Sequence, residues 1–193
     1  MRSLFSKAKL ARRFARSRDG TAAIEFAILA IPYFLVVFAI IETFLAMMGE
    51  QLVSNATDTM ARKLRTGQIA STIAKEDFRK QFCAEVSVLI TCSADEIKKE
   101  SKLYIDLRQF STFADIPKTI PLIANGQYYD IDYSTFGFKP GGPNTINMLR
   151  VYYRWQVITD LVRPYLTKIR PADGSMPSHF LIVSTDAFRN ESY

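Results

Sequence analysis

Residues 18–41 read RDGTAAIEFAILAIPYFLVVFAII, and the sixteen residues from Phe26 to Ile41 carry no charge. Apolar residues extend this stretch in both directions, from Ala22 to Met48. A transmembrane helix needs roughly 20 predominantly apolar residues. The sequence therefore predicts that residues 21–48 cross a membrane as one helix.

The segment before this stretch, residues 1–20, is strongly basic. It holds seven basic side chains and one acid, so its net charge of +6 equals that of the whole chain. Basic flanks of transmembrane helices stay on the cytoplasmic side. We therefore predict a single-pass inner-membrane protein with a cytoplasmic leader over residues 1–20 and a periplasmic C-terminal part. Membrane lipid is then one partner, and a nucleic-acid partner is not expected because no nucleic-acid-binding motif accompanies the charge.

A cleavable secretory signal peptide is the competing interpretation of the same stretch. Its apolar core would span roughly 7–15 residues and end at a site of small residues. The core found here is longer, and around residues 45–49 leucine and methionine stand where small residues are needed. The sequence therefore favours a helix that is not removed in this way.

Helical periodicity continues beyond Met48. Apolar residues recur at three- and four-residue intervals as Leu52, Val53, Ala56, Met60, Ala61 and Leu64. Basic residues in the last turn and Gly67 after it are typical of a helix end. The pattern predicts one helix from Thr21 to Thr66, about 70 Å long at 1.5 Å per residue. Its outer half, residues 49–67, is expected to pack on its own domain or on neighbouring copies.

Residues 68–193 are predicted to form a periplasmic α+β domain. A helix is expected over residues 75–90, and a short one over 159–168 before Pro171. Alternating apolar residues predict three strands and a weaker fourth, over residues 102–110, 147–158, 178–189 and 127–134. Turn signals separate them at Asn125-Gly126, Pro140-Gly141-Gly142-Pro143 and Asp173-Gly174. We expect an antiparallel sheet of three to four strands packed on the outer half of the long helix.

Cys83 lies on the predicted helix 75–90, and Cys92 follows nine residues later. In an oxidising compartment such a pair favours a disulfide. Metal binding is an alternative that two cysteines and one histidine serve poorly. A redox pair is another, although it usually shows a C-x-x-C spacing. We predict the disulfide, and no metal site.

The chain has few residues of the types that usually carry out catalysis. His179, the single histidine, has no visible nucleophile and orienting group to work with. Gly141 and Gly142 stand between prolines, which fits a turn better than a phosphate-binding loop. The aromatic residues of the outer domain are expected in its core and on the surface of the sheet rather than in a ligand site. We therefore predict a non-enzymatic protein with no catalytic residue and no cofactor.

Three residues interrupt the apolar character of the long helix. A carboxylate such as Glu25 is costly in a membrane unless it is neutralised or paired, which points to a function, but solvation at headgroup level would also explain it. Pro32 removes one helix hydrogen bond and is compatible with a kink. Glu42 directly follows the uncharged run and is interpreted as the outer boundary of the membrane.

Residues 18–26, RDGTAAIEF, followed by an apolar helix, resemble the TadE-like family, pilin-like proteins of the bacterial Tad (tight adherence, Flp pilus) system. Type IV prepilins share the broader pattern, a basic leader that ends in glycine with a glutamate as the fifth residue after it. Other segments look like TadE-type domains as well: FKPGGP at 138–143, RVYYRW at 150–155, TDAFRNE at 185–191, and LYIDLR at 103–108 after the cysteines.

The resemblance implies roles for four residues. Gly20 would end the leader, and a prepilin peptidase would cut the Gly20–Thr21 bond. Glu25 would be the pilin-type glutamate that serves assembly, and Phe26 would belong to the same recognition motif. Thr21 stands where classical pilins carry a methylated phenylalanine, so N-methylation is not implied.

These observations lead to one main functional hypothesis. The chain is expected to be a pseudopilin or minor pilin of a Tad pilus, working in adherence with other pilin-like subunits and the inner-membrane assembly platform. A membrane-anchored periplasmic enzyme or ligand-binding domain is the alternative. The N-terminus of the mature protein separates these hypotheses: Thr21 supports the first, an intact leader an anchored enzyme, and a start near residue 49 a secreted domain.

Overall fold

The computed structural model describes residues 21–125, 128–158, 163, 169 and 179–193. The predicted leader, including Gly20, lies outside these residues, as do Gly126, the turn at 173–174 and, apart from Arg163, the predicted helix 159–168. The chain divides into two compact units, one ending at Ile41 and the other running from Glu42 to Tyr193.

Helix α1 spans Thr21–Arg65, 45 residues, and includes Pro32. In the first unit its side chains are almost all exposed, although they are mostly apolar. In the second unit a buried stripe at three- and four-residue spacing faces the domain: Glu42, Ala46, Gly49, Val53, Ala56, Thr57, Met60, Ala61 and Leu64. Gly67 follows with a φ of 72°, the left-handed conformation that glycine favours after a helix end. The predicted long helix is confirmed, and it ends one residue before the expected Thr66.

Helix α2 spans Lys75–Glu85, and a short helix α3 spans Ala94–Lys98. The predicted helix over 75–90 was too long, because turns replace it after Glu85. Cys83 and Cys92 form a disulfide with their Cα atoms 5.9 Å apart. In an uninterrupted helix these residues would stand about 13.5 Å apart along the axis, so the chain has to turn back between them. The sequence did not predict α3.

The main sheet has four strands in the order β4-β1-β5-β6. These strands are β1 (Leu103–Phe110), β4 (Phe138–Lys139), β5 (Ile146–Gln156) and β6 (His179–Arg189). The antiparallel arrangement seen in the β1–β5 and β5–β6 pairs was expected, although the sequence did not predict which strands are neighbours. The parallel β1–β4 pair was not expected, so the sheet is mixed rather than purely antiparallel.

A second, two-stranded sheet consists of β2 (Leu122–Asn125) and β3 (Tyr128–Ile131). The weak strand predicted at 127–134 therefore exists in part, but it pairs with β2 and not with the main sheet. Short 3-10 turns at Phe113–Asp115 and Tyr133–Thr135 connect these elements.

Both faces of the main sheet are covered. One face packs on α1 and α2 through alternate residues of its strands: Leu103, Ile105, Leu107, Leu149, Val151, Ile182 and Phe188. On the other face Tyr104 and Tyr152 pack with Ile131 of β3 and with Ile169. The expected α+β architecture, with a sheet on the outer half of the long helix, is confirmed.

Candidate assembly helix and its supports

The predicted processing and assembly residues cluster at the start of α1. Thr21 is its first residue, and Glu25 and Phe26 lie in its next turn. Residues four apart on a helix lie on the same face, with about 5–6 Å between their Cβ atoms. Thr21 and Glu25 are therefore neighbours on one side of α1. Gly20 lies outside the described residues, so the structure adds nothing about the predicted cleavage bond.

The surroundings of Glu25 are apolar and exposed. Ile24 is 63% exposed and Phe26 71% exposed, and large apolar side chains continue along every side of the helix. In water this surface would be strongly unfavourable, because apolar area costs about 25 cal/mol per Å² exposed. By length and composition α1 is a candidate membrane span. Glu25 is the single charged side chain between Thr21 and Ile41.

The part of α1 that begins at Glu42 contacts the residues at the end of β5 at two positions. Glu42 is buried, and its carboxylate accepts a hydrogen bond from the backbone N–H of Ile158, just after β5. Seven residues later Gly49 packs against the indole of Trp155, and a Cβ at that glycine would lie 2.7 Å from Cζ3 of the ring. Glu42 was interpreted from the sequence as a boundary residue, and its contact with β5 was not predicted.

A buried ion pair connects α2, α3 and β1. Arg79 is 1% exposed, and its Nη2 lies 3.3 Å from Oε1 of Glu96. Arg79 also donates to the carbonyls of Ile97 and Leu103, at 3.0 and 2.8 Å. The Glu96 carboxylate accepts from the N–H groups of Ser101, Lys102 and Leu103. Charges this deeply buried are tolerated when both partners are fully hydrogen-bonded.

The pKa of Glu96 follows from these contacts. Burial would raise the pKa, but hydrogen bonds from the Ser101 hydroxyl and from three backbone N–H groups lower it further than burial raises it. The pKa of this carboxyl group therefore lies below its ordinary value. Sequence reasoning missed this pair, since an arginine on an amphipathic helix is usually solvent-exposed.

The segment Pro140–Pro143, predicted as a turn, is tied to the end of the chain. The N–H of Gly141 donates to Oδ1 of Asn147 at 2.8 Å. Asn190 donates through Nδ2 to the carbonyls of Gly141 and Gly142, at 2.8 and 3.0 Å. Residues 138–143, 150–155 and 185–191 thus lie in or beside one framework around β5 and β6.

His179 lies half-buried at the first position of β6. Burial, together with the positive charges of Arg154 and Lys102, lowers the pKa of this histidine. It pairs in register with Gln156 of β5. Among the described residues no group of three or more His, Cys, Asp or Glu side chains is placed to hold a metal ion.

The comparisons with known proteins point to the same part of the chain. The TadE-like protein family model matches residues 20–62, which include all but the last three residues of α1. No curated protein and no solved structure matches the chain significantly. The resemblance to TadE-like proteins is therefore confirmed over residues 20–62, the segment that contains Gly20, Thr21, Glu25 and Phe26.

Proposed function

We propose that this protein is a non-enzymatic pseudopilin or minor pilin of a Tad pilus system. The observation that carries the proposal is helix α1, whose residues 21–41 present exposed apolar surface on all sides with one carboxylate, Glu25, one turn from its start. The family match over residues 20–62 supports this assignment. Leader removal between Gly20 and Thr21 by a prepilin peptidase is part of the proposal.

Cleavage changes the electrostatics around Glu25. It creates an α-amino group on Thr21, which lies on the same helix face as Glu25. An ammonium close to the carboxylate offsets part of the cost of holding a charge in a medium of low dielectric. The partner amine is the helix's own or that of an adjacent pilin-like subunit. The second arrangement would favour assembly only when neighbouring helices are in register.

The location follows from the same arrangement. The basic leader stays in the cytoplasm, residues 21–48 of α1 cross the inner membrane, and the chain from residue 49 onward lies in the periplasm. The proposed partners are the prepilin peptidase, other pilin-like subunits of the system, a second pseudopilin and the major pilin among them, and the inner-membrane assembly platform. Adherence would be a property of the assembled pilus.

The mass of the intact protein tests the processing step. The full-length chain is expressed with and without a prepilin peptidase, extracted from membranes and measured by mass spectrometry. A chain beginning at Thr21 in the presence of the peptidase is expected. An intact leader under both conditions would argue against processing, and a start near residue 49 would indicate a secreted domain.

The role of Glu25 is tested separately by Glu25→Gln, which removes the charge and keeps the size. We expect normal cleavage but loss of co-purification with the other pilin-like subunits. Glu50→Gln is the matched control, because Glu50 is an exposed glutamate farther along the same helix. Normal co-assembly of the Glu25→Gln protein would refute the proposed pairing.

A further inference from the structure

Within the unit that begins at Glu42, one group of exposed large apolar side chains lies on the first turns of α1. Phe44 is 60% exposed, Met47 61% and Met48 46%. From Glu50 onward the exposed positions of the helix are mostly polar, including Gln51, Asn55 and Asp58. The exposed side of α1 thus changes from apolar to polar at about Glu50.

The opposite side of these same turns is covered by the domain. Ala46 is 5% exposed, and Gly49 is buried beneath Trp155. The hydrogen bond from Ile158 to Glu42 places the end of β5 beside the first of these turns. Ile158 itself is 80% exposed, so a second element adds an apolar side chain at this level.

The helix length relates these turns to a membrane. Residues 21–49 measure about 43 Å at 1.5 Å per residue, which matches a bilayer of about 40–45 Å including both headgroup layers. The hydrocarbon core takes about 30 Å of that length. The turns from Phe44 to Met48 therefore fall at the level of the outer headgroup layer when the helix spans the membrane.

We propose that the end of the domain formed by Phe44, Met47 and Met48 of α1 and by Ile158 after β5 is seated in the outer headgroup layer of a phospholipid bilayer. The inference rests on the proposed membrane-spanning orientation of α1. It assigns the exposed apolar surface of these turns to lipid and not to a second protein chain.

Three features favour lipid as the partner. The apolar turns continue the candidate span without a break in the helix. Glu42, the charged residue at this level, is buried and hydrogen-bonded to the protein, so it does not face the lipid. The single tryptophan of the chain, Trp155, lies in the same region, and tryptophan is enriched at membrane–water interfaces.

Depth-dependent fluorescence quenching tests the proposal. The full chain carries one added cysteine, labelled with an environment-sensitive fluorophore, and is reconstituted into phosphatidylcholine vesicles that contain lipids with a nitroxide on the headgroup. Because the two native cysteines are joined in a disulfide, the added thiol is the one that reacts. The probe sites are Ile158→Cys and, as a second probe on the helix, Met47→Cys.

The matched control is Val88→Cys, an 89% exposed apolar position of the same domain. Glu85, three residues before Val88 in the sequence, forms a 2.6 Å ion pair with Lys63 of α1. Lys63 stands 21 residues after Glu42, about 31 Å farther along the helix. A label at Tyr33→Cys, inside the candidate span, reports insertion independently through lipids with a nitroxide on the acyl chain.

Strong loss of fluorescence at residues 158 and 47, with little loss at residue 88, is the expected result. Equal and weak quenching at all three sites, with residue 33 quenched, would overturn the seating while leaving the membrane span intact. Protection of residues 158 and 47 from both lipid nitroxides and aqueous iodide would mean that a protein covers them, which also overturns it. Absence of quenching at residue 33 would instead refute the span, and the inference would fail with it.

Discussion

The carboxylate of Glu42 accepts a hydrogen bond from the backbone N–H of Ile158, a residue 116 positions later in the chain. This contact joins the first residue of the second unit to the end of β5, one of the two inner strands of the main sheet. Strand β5 is thereby connected directly to helix α1. Glu42 contributes to the framework of the domain as well as marking its start.

Replacing Glu42 tests this contact. Glu42→Leu removes the acceptor, and we expect a loss of about 1.5–3 kcal/mol in the free energy of unfolding, the range of a hydrogen bond to a charged group. Glu42→Gln keeps an oxygen acceptor and should lose less. The measurement is urea unfolding of the full chain in detergent. Equal losses for both variants would show that the hydrogen bond is not the stabilising feature.

The two adjacent glycines of the Pro140–Pro143 turn should differ in their tolerance of alanine. A Cβ at Gly141 would collide with the hydroxyl of Thr145 and lie 2.7 Å from Oδ1 of Asn147, whereas nothing lies within 4 Å of a Cβ at Gly142. We expect Gly141→Ala to cost about 1–3 kcal/mol, as overpacking does. Gly142→Ala serves as the control and should be nearly neutral. Thermal unfolding of both variants measures the difference, and similar melting temperatures would contradict it.

Stability should depend on pH through Glu96. Because the pKa of this carboxyl group is lower in the folded chain than its ordinary value of 4.5, the unfolded state binds more protons as the pH falls. The stabilisation is therefore present above about pH 4.5 and is lost as the pH drops through the folded pKa. In Glu96→Gln the unfolding midpoint should fall less steeply in this acidic range. Glu76→Gln, at an exposed position of α2, controls for general charge effects.

The sequence predicted those parts of the fold that have a long repeating pattern. Alternation along β1, β5 and β6 correctly separated Leu103 and Val151, which face the helices, from Tyr104 and Tyr152 on the other side. Strand β4 is two residues long, so it has no period to detect. Its parallel position depends on a distant contact, the N–H of Gly137 donating to the buried carboxylate of Asp106 at 3.0 Å. A contact between residues 31 positions apart cannot be predicted from local sequence patterns.

The sequence pointed to Thr21, Glu25 and Phe26 because a charged residue in an apolar run and a short motif can be recognised from local sequence. Their roles in processing and assembly stay predictions. The roles of Glu42, Arg79 and Asn190 were not found, since each depends on partners in other elements of the domain. For Asn190 the motif was noticed, but only the structure connects it to the glycines at 141 and 142.

The final residues of the chain close the fold at several places. The N–H of Glu191 donates to the carbonyl of Arg65 at 2.9 Å, Asn190 holds the turn at 141–142, and the ring of Tyr193 lies where a Cβ at Gly67 would be. Residues 190–193 thus brace both the end of α1 and the 140–143 turn. A chain cut before Asn190 would lose all of these contacts at once. One short segment therefore couples the stability of two separate parts of the domain.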